Sequence, residues 1–84
     1  MVSANENSKL RKMYGVILRD GVIGRTELQK ECGKMSISTY NKLKPYLLEK
    51  YEKEIVFDND RQAFYLLKPE TEETKHLITE FLKR

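Results

Sequence analysis

The stretch Arg25–Tyr51, RTELQKECGKMSISTYNKLKPYLLEKY, decides the fold. It reads as a short helix, a tight turn at Gly33 and a longer helix over 36–51. Thr26, with Gln29 three residues later, has the spacing of a capping box. Leu28 and Cys32 then stand one turn apart on the buried side. Gly33 sits where a helix that ends in a left-handed residue favours glycine. Met35 is expected to enter the core from the turn, and Ser36 to cap the next helix. From there Tyr40, Leu43 and Leu47 recur at helical spacing as one apolar stripe. The opposite face carries Ser38, Asn41, Lys42 and Pro45, which makes it polar and basic toward its start. Pro45 removes one backbone hydrogen bond, to the carbonyl of Asn41, and can kink the helix there.

Upstream, residues 1–7 read as a disordered tail and 8–20 as a first helix with Leu10, Met13, Tyr14, Ile17 and Leu18 on one face. Gly15 weakens its middle by roughly 1 kcal/mol relative to alanine and would permit close helix packing. Gly21-Val22-Ile23-Gly24 leaves room for one stub of strand, which needs a partner downstream. Beyond the helix pair, 54–58 and 61–67 read as the arms of a hairpin around Asn59-Asp60. Period two puts Ile55 and Phe57 on one face with Tyr65 and Leu67. Pro69 ends the second arm. Thr71 caps a last helix with Glu72 and Glu73 at its start, Lys83 and Arg84 at its end, and Leu77, Ile78, Phe81 and Leu82 as its stripe. The expected class is mainly α with a small β-hairpin, an α+β domain.

At 84 residues the chain is one domain, near the lower limit for a core without metal or disulfide. Its single cysteine excludes an internal disulfide and a multi-cysteine zinc site. The opening MVSANENS has no apolar run, so no signal peptide is expected. No stretch approaches the roughly 20 apolar residues of a membrane span. The expected location is the cytoplasm. The net charge of +3 is unevenly spread. Residues 9–44 hold nine basic and three acidic side chains, and residues 45–84 hold seven basic and nine acidic ones. A basic half of this kind attracts polyanions, or else is a solvated surface that happens to be basic.

Catalytic and metal chemistry find no support. His76 is the only histidine and has no companion ligand set for zinc. Cys32 reads as a small hydrophobe. There is no glycine-rich phosphate loop and no nucleophile motif. Tyr14, Tyr40 and Tyr65 fit core stripes rather than nucleophiles. The expectation is a non-enzyme without a cofactor.

The order helix, strand stub, helix, tight turn, helix, hairpin resembles the winged helix-turn-helix family over GVIGRTELQKECGKMSISTYNKLKPYLLEKYEKEIVFDNDRQAFYLL. On this resemblance, residues 8–68 form the winged domain and 69–84 an added C-terminal helix. The family implies double-stranded DNA as partner and a role as a small transcriptional regulator. Helix 36–51 would enter the major groove, with the hairpin as wing. The groove-facing positions would be Ile37, Ser38, Asn41 and Lys42. Arg25, Thr26 and Lys34 would meet phosphate, and Arg61, with Asn59 or Gln62, would be the wing contact. Asn can bond adenine, Lys can reach guanine or phosphate, and Ile can meet a thymine methyl. Ile37 could equally pack in the turn. Leu77, Ile78, Phe81 and Leu82 would pair with a second copy, or else cover their own chain. The alternative is a protein-interaction module without DNA binding, which the acidic Asp58, Asp60 and C-terminal half would suit. Structured RNA shares the charge argument.

Overall fold

The Ser3 hydroxyl accepts the Glu6 amide at 3.2 Å, and Glu6 Oε1 accepts the Ser3 amide at 3.0 Å. This reciprocal cap satisfies two orphan donors, so helix α1 (Ala4–Asp20) begins well before residue 8. A disordered tail over 3–7 is therefore corrected. In the computed structural model the described residues are 3–83, so the remainder of the expected tail, residues 1–2, and Arg84 lie outside them.

The order that follows is β1 (Val22–Gly24), α2 (Arg25–Glu31), α3 (Ile37–Lys50), β2 (Ile55–Asp58), β3 (Ala63–Leu66) and α4 (Glu72–Leu82). Among the described residues this makes four helices and one three-stranded antiparallel sheet, ordered β1-β3-β2. The strand stub finds its downstream partner in β3, with Ile23 opposite Phe64.

The hairpin faces are the reverse of the expectation. Ile55 pairs with Leu66 and Phe57 with Phe64, so these four share the core face. Tyr65, opposite Val56, lies on the other face, and Leu67 is exposed. The turn has an even number of residues, which pairs odd positions with even ones across the hairpin, whereas the expected faces needed an odd-numbered turn. The turn occupies four residues, 59–62, and the Asp58 carboxylate accepts the backbone amides of Asp60 and Arg61 at 3.0 and 3.1 Å. Gln62 takes a left-handed φ of 52°. A shift of one residue in the returning strand inverts every side chain.

The core joins Leu10, Met13, Val16 and Ile17 of α1 to Leu28, to Tyr40, Leu43 and Leu47 of α3, and to Ile23, Ile55, Phe64 and Leu66 of the sheet. The Tyr14 and Tyr51 rings stack at 3.9 Å between centroids and clamp the end of α3 to α1. Gly21 has a φ of 79°, and a Cβ there would run into the Thr74 methyl, so glycine lets α4 close on the end of α1. Gly15 does not do what was expected of it. A Cβ at that position would meet nothing within 4 Å, so no helix packs there.

Candidate functional site

The outer face of α3 is positioned by what happens on either side of it. The N-cap of α2 is Gly24, not Thr26, and no side chain caps it. The helix is launched straight from β1, with the Arg25 amide donating to the Gln62 carbonyl at 2.9 Å. Thr26 stays exposed in the first turn. Gln29 is released from the expected box, and its side-chain amide donates to the Met35 carbonyl at 3.0 Å. That bond braces the turn, where Gly33 and Lys34 take left-handed φ values of 75° and 58°. Met35 packs half-buried against the core, as the spacing suggested. Ser36 is the cap of α3: its hydroxyl accepts the Thr39 amide at 3.2 Å and donates to the Thr39 hydroxyl at 3.0 Å.

With Tyr40, Leu43 and Leu47 buried, α3 turns Ile37, Ser38, Asn41, Lys42 and Pro45 to solvent. Ile37 remains 45% exposed, so it does not pack in the turn. Lys34 is exposed just ahead of it. These residues form one outward surface at the start of α3.

The surface has a neighbour that sequence reasoning missed. Glu6 Oε2 lies 2.6 Å from the Lys42 ammonium. Glu6 therefore uses one oxygen to cap α1 and the other to hold a cation on α3. The Lys42 contact, reinforced by the Ser3 amide, draws the Glu6 carboxyl down to about 2, and Glu6 raises Lys42 in return. The signal was present as Ser3-Ala4-Asn5-Glu6, a capping-box spacing in a stretch read as a tail.

Arg61 turns away from solvent. Its guanidinium meets Asp58 Oδ2 at 2.9 Å and the Leu82 carbonyl at 2.8 Å, and lies 5.7 Å from the centre of the Phe81 ring. The exposed tip of the turn is left to Asn59, Asp60 and Gln62. The Asp58 carboxyl sits below its usual range because it accepts the Arg61 backbone amide and pairs with the Arg61 side chain. Arg25 is half-buried; its Nε and the Tyr40 hydroxyl are both buried without a hydrogen-bond partner among the described residues. Burial, the main cause, pushes the Tyr40 hydroxyl up to about 12. His76 is exposed on α4, and burial raises the half-buried Cys32 thiol.

On α4, Ile78 is buried and Phe81 half-buried, while Leu77 and Leu82 are 48% and 39% exposed. The apolar stripe is thus split between the chain's own core and solvent. Among the described residues, no helix is long and apolar enough to cross a membrane. Comparison with protein-family models, with curated proteins and with solved structures gives no match.

Proposed function

We propose that this chain is a winged helix-turn-helix protein that binds double-stranded DNA and acts, without catalysis, as a small cytoplasmic transcriptional regulator. The observation that carries the reading is the outward surface of α3. It offers Ile37, Ser38, Asn41 and Lys42 over its first turns, directly after a tight turn that holds Lys34. A recognition helix uses its N-terminal residues in the major groove, and these residue types suit base edges and phosphates. In this reading Thr26 and Arg25 at the start of α2 meet the DNA backbone, and the β2–β3 hairpin serves as wing through Asn59 and Gln62 rather than through Arg61. Leu77 and Leu82 of α4 support a homodimer, since symmetric dimers are the commonest oligomers and two recognition helices then read a palindrome. A single-chain mass by light scattering at high micromolar concentration overturns the dimer.

The second reading is a protein-docking module. Glu6 favours it, because a carboxylate against Lys42 reduces the positive charge that α3 shows to a polyanion. One titration separates the two. Fluorescence anisotropy of a random-sequence duplex, at two salt concentrations, is expected to report binding that weakens steeply with salt through counterion release. Lys42→Glu is expected to weaken it further. No binding at low salt by a folded chain rejects the DNA reading and leaves the protein partner.

A further inference from the structure

Four of the nine basic residues between 9 and 44 stand on α1: Lys9, Arg11, Lys12 and Arg19. The surface of α3 makes no use of them. Ser8, Arg11, Lys12, Gly15 and Arg19 fall within an arc of about 100° on the helical wheel, and that arc carries no carboxylate of α1. It stands opposite the buried Leu10, Met13 and Ile17. Arg11, Lys12, Gly15, Val16 and Arg19 line an open recess of about 280 Å³ on this face.

Gly15 lines the recess and has no internal explanation. A side chain there would meet nothing within 4 Å, and glycine weakens the helix that carries it. Glycine in a regular element is the residue that admits the close approach of another backbone. Here the ring around it is cationic. Arg11 touches only the Ser8 hydroxyl, at 3.4 Å, and Lys12 forms no ion pair among the described residues. Arg19 shares its charge with Asp20 at 2.8 Å and Glu31 at 3.6 Å, so Arg11 and Lys12 supply most of the attraction.

The recess suits a phosphodiester better than a protein. Its one apolar residue, Val16, is itself buried, and it lacks the exposed aromatic or leucine anchor on which protein interfaces depend. Arg11 and Arg19 are eight residues apart, or about 12 Å along the axis, a length matched by roughly three phosphates of one strand. We infer that the outer face of α1 is a second nucleic-acid-binding face, on which Gly15 admits a phosphodiester backbone between Arg11, Lys12 and Arg19. The inference rests on the DNA reading of α3. On this inference one chain holds two duplex segments at once, one on the outer face of α1 and one on that of α3.

The test is capture of a fluorescent duplex by the full chain loaded on an immobilised duplex, run beside anisotropy on a single duplex. The intact chain is expected to capture the second duplex. Gly15→Ala is expected to raise Tm by roughly 4–8 °C through helix propensity while lowering capture several-fold. The double variant Arg11→Glu with Lys12→Glu is expected to flatten the salt dependence of capture by about 2 in log–log slope. Capture that survives both variants comes from pairing of chains, and overturns the α1 face. Single-duplex binding without capture also overturns it, while leaving the DNA reading of α3 intact. No binding to any duplex removes both.

Discussion

Helices α3 and α4 both start on a hydroxyl cap and both carry an apolar stripe, yet only α3 buries its stripe completely. Ser36 and Thr71 each accept the amide three residues on, at 3.2 and 3.1 Å. On α3 the residues Tyr40, Leu43 and Leu47 meet α1 and the sheet, and the far side is wholly polar apart from Ile37, Pro45 and Tyr46. On α4 only Ile78 reaches the core, and Leu77 and Leu82 are left half-covered. The difference lies in what each helix has to lean on. α3 is sandwiched by α1 and β2, whereas α4 rests chiefly on the edge strand β1. A stripe in a sequence states that a helix has an apolar side. The topology decides whether the chain itself can use that side.

The largest expected effect tests this contrast directly. Leu43→Ala should cost about 2–5 kcal/mol, because it opens a cavity in a fully packed site. Leu77→Ala should change the stability of a dilute chain by less than about 0.5 kcal/mol. Denaturant unfolding of both variants at low concentration measures the pair. Equal losses would break the contrast and show that α4 is as fully covered as α3. A loss at Leu77 that appears only as concentration rises would instead identify a second copy as the cover.

The contrast also marks what could be read from residues alone. The stripe of α3, its Ser36 cap, the left-handed Gly33 and the Thr71 cap are local patterns, complete within one or two turns, and each stands as expected. The failures are the features that depend on distant partners. The helix α2 already begins at Arg25, whose amide bonds the distant Gln62 carbonyl, so Thr26 lies inside its first turn rather than at its cap. The hairpin faces depend on whether the turn holds an even or an odd number of residues, which alternation within each arm does not state. Arg61 is drawn inward by a carbonyl 21 residues away. Glu6 came from a stretch whose polar composition hid a capping box, and it alters the charge of the α3 surface.

That residue gives the next effect in size. Glu6→Gln keeps the geometry of the reciprocal cap, since glutamine serves the same position, and removes the charge facing Lys42. Duplex affinity at low salt is expected to rise by roughly two- to fivefold, the scale of one exposed ion pair. Unchanged affinity would mean that Lys42 does not meet the polyanion. The pH dependence follows from the sign of the shift. The folded carboxyl is lowered from 4.5 to about 2, so its contribution to stability is complete above the ordinary value and is lost as pH falls through that window. Thermal unfolding of the parent chain and Glu6→Gln should differ by a constant amount above pH 4.5 and converge near pH 2.

The smallest effect concerns the one polar atom on the buried side of α3. The Tyr40 ring packs edge-on against Phe64 at 6.4 Å, inside the core, and its hydroxyl has no hydrogen-bond partner among the described residues. A desolvated hydroxyl without a partner opposes folding, so removing it should not weaken the chain. Tyr40→Phe is expected to leave stability unchanged or to raise it by up to about 1 kcal/mol. A second signature comes from alkaline pH. With the hydroxyl pushed from 10 to about 12, the folded chain holds a proton that the unfolded chain releases, so stability falls as pH rises across that window. Tyr14, raised to about 12 mainly by Glu54, contributes a similar decline. Tyr40→Phe should therefore remove part of the alkaline loss and leave the part due to Tyr14. If the variant instead unfolds more easily at neutral pH, the hydroxyl is bonded in solution. The neighbouring Arg25 Nε, also buried without a partner, would then be the first group to examine, because such a pairing would tie the start of α2 to the buried face of α3.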